Sequence, residues 1–264
     1  MNDKPAVLTR IDGSVATVTL NRPEKRNAIN GDVVDGLKQA FLELEADTDL
    51  RVILLRGEGI MFSSGIDATW LGQLAGLDDT GKMGVYLRIL INRIQEVNNL
   101  IERVEKPVVA VLHGRCIGLG LEIALACDFR IAAEDTLIGL PEVVLGLVPD
   151  CGGTTRVTRF AGPAVAKEII MLCENLPAVR YHQWNLINRV CPASELDRTV
   201  KEFTDILLDR PPRTLGVVKR LIDRGAGLDK MSHMEMESMA NSALVTVSEF
   251  PQILMEGFGK LRKK

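Results

Sequence analysis

PVVAVLHGRCIGLGLEIALACDFRIAAED, residues 107–135, holds the fold in miniature. Pro107–Gly114 is a short apolar, β-branched run closed by glycine, and it reads as a buried strand. Glycines follow at 114, 118 and 120. LEIALACD (121–128) then reads as a buried helix and FRIAAED (129–135) as a further strand. Strand, tight turn, helix and strand with almost no linker predict an α/β chain.

The alternation extends outward. SVATVTL (14–20) alternates as a strand, and NRPEKRNAIN (21–30) is a charged loop. In residues 31–47, Val33, Val34, Leu37, Phe41 and Leu44 recur at helical spacing. RVILLRG (51–57) is another buried strand, followed by the turn MFSSGID (61–67). Helical spacing returns over 84–103 through Leu87, Leu90, Ile91, Ile94 and Leu100. From Gly162 the chain reads as mostly helical, and Pro211-Pro212 opens a new helical segment. The stripe Met231, Met234, Met236 and Met239 reads as packing.

With 264 residues, 46% hydrophobic and 25% charged, the chain suits one large domain or a core with an appendage. A net charge of −3 argues against a nucleic-acid surface, since phosphate binding needs clustered cations. Five cysteines without a CxxC pair suggest reduced thiols and a cytoplasmic setting. No stretch has the apolar length of a membrane span or a signal peptide. Cys116 and Cys151 read as small core thiols.

Two turns carry chemistry. MFSSG and HGRCIGLG each leave a strand through a turn rich in Gly or Ser, a geometry that leaves backbone N–H groups pointing outward. Amides from two such turns can converge on one oxygen as an oxyanion hole. The same glycines would also serve plain strand–helix packing. Beside them stand carboxylates in apolar company: Glu122 in LGLEIALA, Glu142 in LPEVVLGL, and Asp150 before Cys151-Gly152-Gly153. Apolar surroundings raise a carboxyl pKa, which suits proton transfer near neutral pH. Alternatively each is a surface, cap or turn residue. No metal site is expected. His113, the nearest histidine in sequence to this turn, ends a strand. GLGLEI fails the dinucleotide fingerprint because Ile123 stands where its last glycine belongs, and neither GK[ST] nor GxSxG occurs.

These residues resemble the crotonase superfamily, the enoyl-CoA hydratase/isomerase family. The resemblance runs through VATVTLNRPEKRNAIN, MFSSGID, EKPVVAVLHGRCIGLGLEIALACDFRIA, LPEVVLGLVPDCGGTTRV, INRVCP and EGFGKLRKK. It implies a spiral of ββα units over residues 1–200 holding an acyl-CoA site. A helical region, 201–264, would serve oligomerisation and cover CoA, in a homotrimer or a dimer of trimers. It implies an enzyme acting on acyl-CoA thioesters with no separate cofactor, CoA entering as part of the substrate.

Carried over by residue, the resemblance makes Ile66 and Leu119 the oxyanion-hole amides and Glu122 and Glu142 the acids that add water to a 2-enoyl-CoA. Lys25, Arg26, Ala28, Ser64, Asp67, Gly118, Phe258 and Lys260 become CoA-binding candidates, the last two reaching CoA held by a neighbouring subunit. Trp70, Leu71, Leu74, Tyr86 and Leu87 become acyl-pocket walls. Two departures stand out. Leu119 sits where the family usually has glycine. Asp150 replaces the glycine of common hydratases and matches the base of several double-bond isomerases, although dienoyl-CoA isomerases typically have Asp where Glu122 stands. Alternatives are therefore an enoyl- or dienoyl-CoA isomerase using Asp150 as base, or a non-catalytic CoA- or RNA-binding member.

Overall fold

The computed structural model describes residues 4–76 and 79–262. β1 (Val7–Asp12) and β2 (Val15–Leu20) form an antiparallel hairpin that turns at Gly13, where φ is +57°. β3 (Val52–Gly57), β4 (Val108–Leu112), β6 (Phe129–Ala133) and β9 (Arg189–Cys191) extend it in parallel, giving the order β1-β2-β3-β4-β6-β9. A second sheet has the order β5-β7-β8, from β5 (Arg115–Ile117), β7 (Leu137–Gly139) and β8 (Leu176–Pro177). Two successive turns, one through β4 and β5 and the next through β6 and β7, each give one strand to the large sheet, one short strand to the small sheet, and then a helix, whereas among the described residues the earlier turns contribute only the single bridges Ile29–Ile66 and Ser63–Cys116.

The helices are α1 (Gly31–Ala46), α2 (Ala68–Leu71), α3 (Thr80–Arg103), α4 (Leu119–Ala126), α5 (Gly153–Leu172, broken at Gly162) and α6 (Ala178–Gln183). They are followed by α7 (Leu196–Leu208), α8 (Pro212–Gly225), α9 (Lys230–Leu244) and α10 (Phe250–Leu261). Every residue of β4 is buried. Its side chains alternate faces: Val108, Ala110 and Leu112 join the main core with α1, α3 and α4, while Val109 and Val111 join a smaller cluster with Val200 and Leu207 of α7. The boundary expected at 200/201 therefore falls inside α7, a helix that packs on the sheet.

β1 and the short strands β5, β7, β8 and β9 were not legible in the sequence. β1 is exposed along nearly its whole length, so it shows no apolar face. β5 is three residues long and lies within the glycine turn itself. The Met stripe is a correction. Met231, Met234 and Met239 on α9 are exposed within this chain and do not pack in its core. Short strands β8 and β9 interrupt the otherwise helical stretch after Gly162.

Buried charge ties the layers together. Arg130 of β6 donates to Leu186 O (2.6 Å), Cys127 O (2.7 Å) and Ala124 O (3.3 Å), placing a cation at the C-terminal end of α4. Lys219 of α8 pairs with Asp128 at 2.9 Å and donates to Ile101 O. This anchors the helical region to the start of β6 and the last turns of α3. The five cysteines are free thiols, four of them buried. No helix among the described residues is long and apolar enough to cross a membrane.

Candidate active site

The loop after β3 runs against β5. Ser63 N donates to Arg115 O and Ile117 N to Ser63 O, so the turns expected to converge do lie side by side. The glycines are needed for this approach. A Cβ on Gly114 (φ +62°) would lie 2.1 Å from Ile60 O, and one on Gly120 would lie 2.8 Å from Ser63 Cβ.

Several amides of these turns are used. Ser64 N donates to Arg26 O, Gly65 N to Ser63 Oγ, and Asp67 N to Ile29 O. Gly118 N donates to Gly139 O, and Leu121 N and Glu122 N to Gly118 O. Among the described residues Ile66 N, Leu119 N and Gly120 N have no protein acceptor, and of these three residues Ile66 and Leu119 line one cleft. Buried N–H groups are rarely left unpaired, and an amide on a cleft wall is free to meet an acceptor from outside the chain. A Cβ on Gly65 would sit 3.7 Å from Leu119 N, which shows how closely the two turns approach.

The cleft has a volume of ≈ 160 Å³. Its walls are aliphatic: Leu71 from α2, Leu87, Leu90, Ile91 and Ile94 from α3, and Leu145 from the turn after Pro141. Glu122, Glu142 and Asp150 all face it. Of the expected acyl-wall residues, Leu71 and Leu87 line it. Trp70 and Tyr86 instead pack against the core, with Tyr86 OH donating to Gln73. The Leu74 side chain lies outside the described ones.

Glu122 is only 2% exposed, and its Oε1 accepts two backbone bonds, from Cys151 N and Gly153 N, each at 2.8 Å. Burial, together with the charges of Glu142 and Asp150, raises its pKa to about 8 against the pull of those amides. Burial raises Glu142 to about 7, helped by the Asp150 charge, and Glu142 Oε2 is buried without a partner among the described residues. Asp150 is likewise raised by burial. The nearest ligand atoms of Glu122, Asp150 and Cys151 lie within 4.8 Å of one another. Sequence reading missed the double amide grip on Glu122. Its only trace was the Cys-Gly-Gly run, where Gly152 adopts φ +104° and a Cβ on Gly153 would press on Pro149 and on Glu122 itself.

The other expected residues are dispersed. Lys25 and Arg26 are exposed on a turn held by buried Asn27, whose Nδ2 donates to Glu58 O and Met61 O. The bond from Ser64 N to Arg26 O places that turn beside the cleft. The Ala28 carbonyl accepts from Arg22, and the Asp67 carboxylate is engaged by Arg22 (2.9 Å) and Thr69. Ser64 and Gly118 line the cleft. Phe258 and Lys260 lie on α10 outside the cleft lining, with Lys260 bound to Asp209 at 2.6 Å.

A family model for enoyl-CoA hydratase/isomerase matches residues 10–258. The chain belongs to the enoyl-CoA hydratase/isomerase family, within the crotonase superfamily. It is 33% identical to the short-chain-enoyl-CoA hydratase of Clostridium acetobutylicum over 235 residues, 89% of this chain and 87% of that one. It is 36% identical to the human mitochondrial Delta(3,5)-Delta(2,4)-dienoyl-CoA isomerase over 194 residues, 72% of this chain and 59% of that one. A structure from Thermobifida fusca YX in complex with acetoacetyl-CoA superposes with TM-score 0.83 at 29% identity, covering 91% of this chain and 95% of that one. This crotonase-fold chain is therefore an enzyme of the family, with relatives on both the hydratase and the isomerase side.

Proposed function

We propose that this enzyme adds water to, or removes it from, the C2–C3 bond of 2-enoyl-CoA thioesters. The observation that carries the reading is the pair Glu122 and Glu142, facing one aliphatic cleft with carboxyl groups raised to about 8 and about 7. Between those values such a pair holds a single proton, so one base and one acid are present together. In hydration, the ionised carboxylate takes a proton from water as its oxygen bonds to C3. The C2–C3 π electrons move toward C2 and the thioester oxygen, and the protonated carboxyl then delivers its proton to C2. The Ile66 and Leu119 amides receive the enolate oxygen, a role typically worth ~3 kcal/mol of barrier per donor. Leu119 is 4% exposed and belongs to the core, so its backbone can serve although its side chain is bulky.

The exposed Lys25 and Arg26 suit the phosphates of CoA. Exposed Met234 and Met239 of α9, with Met255 and Phe258 of α10, suit burial against further copies in a trimer, where Phe258 and Lys260 would meet a neighbour's CoA. Asp150 supports a second reading. Its carboxylate lies in the same cleft and is raised by burial, as a base for shifting a double bond would be. Crotonyl-CoA separates the two. Loss of its enoyl absorbance supports hydration, whereas inertness on 2-enoyl esters with turnover of 3-enoyl- or 3,5-dienoyl-CoA replaces it with isomerisation.

A further inference from the structure

Next to the cleft, across Val148, Asp150 and Cys151, lies a second, polar chamber of ≈ 620 Å³ that is open to solvent along Asn99, Thr154 and Thr155. Gln95, Asn98 and Asn99 of α3 and Thr154, Thr155 and Arg156 of α5 line it. It shares Val148, Asp150 and Cys151 with the acyl cleft, so this one segment is the wall between the two spaces. Asn98 is 0% exposed. Its Nδ2 donates to Cys151 O at 2.7 Å, but its Oδ1 is buried without a partner among the described residues. A buried acceptor without a donor is costly, and water is its usual partner. The chamber is far larger than the ~10–15 Å³ that one water needs.

We propose that this chamber supplies water to the acids across that wall, with Asn98 Oδ1 and the Asp150 carboxylate as its two ends. An acyl chain seated among Leu71, Leu87, Leu90, Ile91 and Ile94 closes the front with hydrocarbon. A polar route from the other side remains open through Asp150, whose carboxylate lies within 4.8 Å of that of Glu122. That is the span of a single bridging water. Gln95 Nε2 to Asp150 O (2.7 Å) and Arg156 Nη1 to Cys151 O (3.1 Å) hold the dividing segment in place from the chamber side. The inference rests on the hydratase reading for its consequence, but not for its geometry.

The test blocks the mouth. Asn99 and Thr155 are exposed and make no side-chain hydrogen bond among the described residues, so N99F/T155F, or T155F alone should the pair fail to fold, narrows the chamber without touching the acids. With crotonyl-CoA, kcat is expected to fall at least about tenfold while KM stays within about twofold, the pattern of an impaired step after binding. An unchanged kcat overturns the proposal. A structure of the wild-type chain with acetoacetyl-CoA bound gives the independent arm. Ordered water at Asn98 Oδ1, continuing to Asp150, supports the route, and a dry or collapsed chamber overturns it. Should the wild-type enzyme fail to hydrate crotonyl-CoA, the functional reading falls, and the structure with bound ligand still decides the chamber.

Discussion

Gly118 and Glu142 are shaped to each other: a Cβ on Gly118 would lie 2.9 Å from Glu142 Oε1. Gly118 also holds φ +53° at the N-cap of α4. The glycine that frees the Leu119 amide is thus the one that admits the second carboxylate. G118A strains the backbone and pushes Glu142 out of place at once. Displacement on an ångström scale costs roughly 10²-fold in rate. Turnover of crotonyl-CoA by G118A is expected to fall by that order, and a variant with wild-type kcat would show that Glu142 need not sit there.

E122Q keeps the acceptor for the Cys151 and Gly153 amides and removes the titrating group. Its turnover is expected to drop by ~10²–10⁴-fold, the span for one acid–base group. Stability moves the other way. The Glu122 pKa is raised in the fold, to about 8 from 4.5, so the folded state favours the protonated form. The protein therefore loses stability as pH climbs from the unfolded value through the folded one. Melting curves should show E122Q gaining on wild type between about pH 5 and pH 9, as the linkage predicts. A gap that shrinks over that range would contradict the raised pKa.

If the enzyme hydrates 2-enoyl-CoA as proposed, the pH dependence should have its origin in the same pair. Below about 7 both glutamates are protonated and no base remains; above about 8 both are ionised and no acid remains. The kcat/KM profile on crotonyl-CoA should be a narrow bell centred between those values, read as macroscopic constants of the pair. A plateau extending down to pH 5 would mean that the carboxyls titrate normally.

D150N separates the two reactions. Asp150 joins the acids but makes neither of the bonds that hold Glu122. A hydratase should keep its rate within about threefold, since the amide side chain of D150N can still hold a bridging water, whereas an isomerase relying on this base should lose ~10²–10⁴-fold. The decisive measurement is both activities on one preparation of D150N, each compared with wild type.

The sequence disclosed much of this arrangement and hid the rest for identifiable reasons. β4 and α1 were legible because burial follows their apolar pattern, Val108–Leu112 continuously and Val33, Leu37, Phe41 and Leu44 at helical spacing. Glu122 and Glu142 stood out as charges in apolar company. Hidden were interactions made by backbone: the Cys151 and Gly153 amides on Glu122, and the pairing of Ser63 with Cys116 that aligns the two turns. Any residue but proline at position 151 would donate the same backbone N–H, so the identity of that residue carries no record of it. The methionine stripe misled because apolar periodicity marks a buried face without saying whose. In this chain Met231, Met234 and Met239 face outward.

Arg130 was also hidden, since in FRIAAED it is simply one residue of a strand. Its guanidinium holds three carbonyls, two of them, Ala124 and Cys127, at the end of the helix that carries Glu122. R130M keeps much of the length and apolar stem but removes every donor. Relief from burying a cation works in favour of the variant, yet three buried acceptors lose their partner, and the net cost should be about 3 kcal/mol. At roughly 2–4 °C per kcal/mol for a chain of this size, the melting temperature should fall by roughly 6–12 °C. R130K, with one ammonium to share among three carbonyls, should fall between the two. An R130M protein as stable as wild type would mean that those carbonyls find other donors and that the C-terminal end of α4 needs no cation.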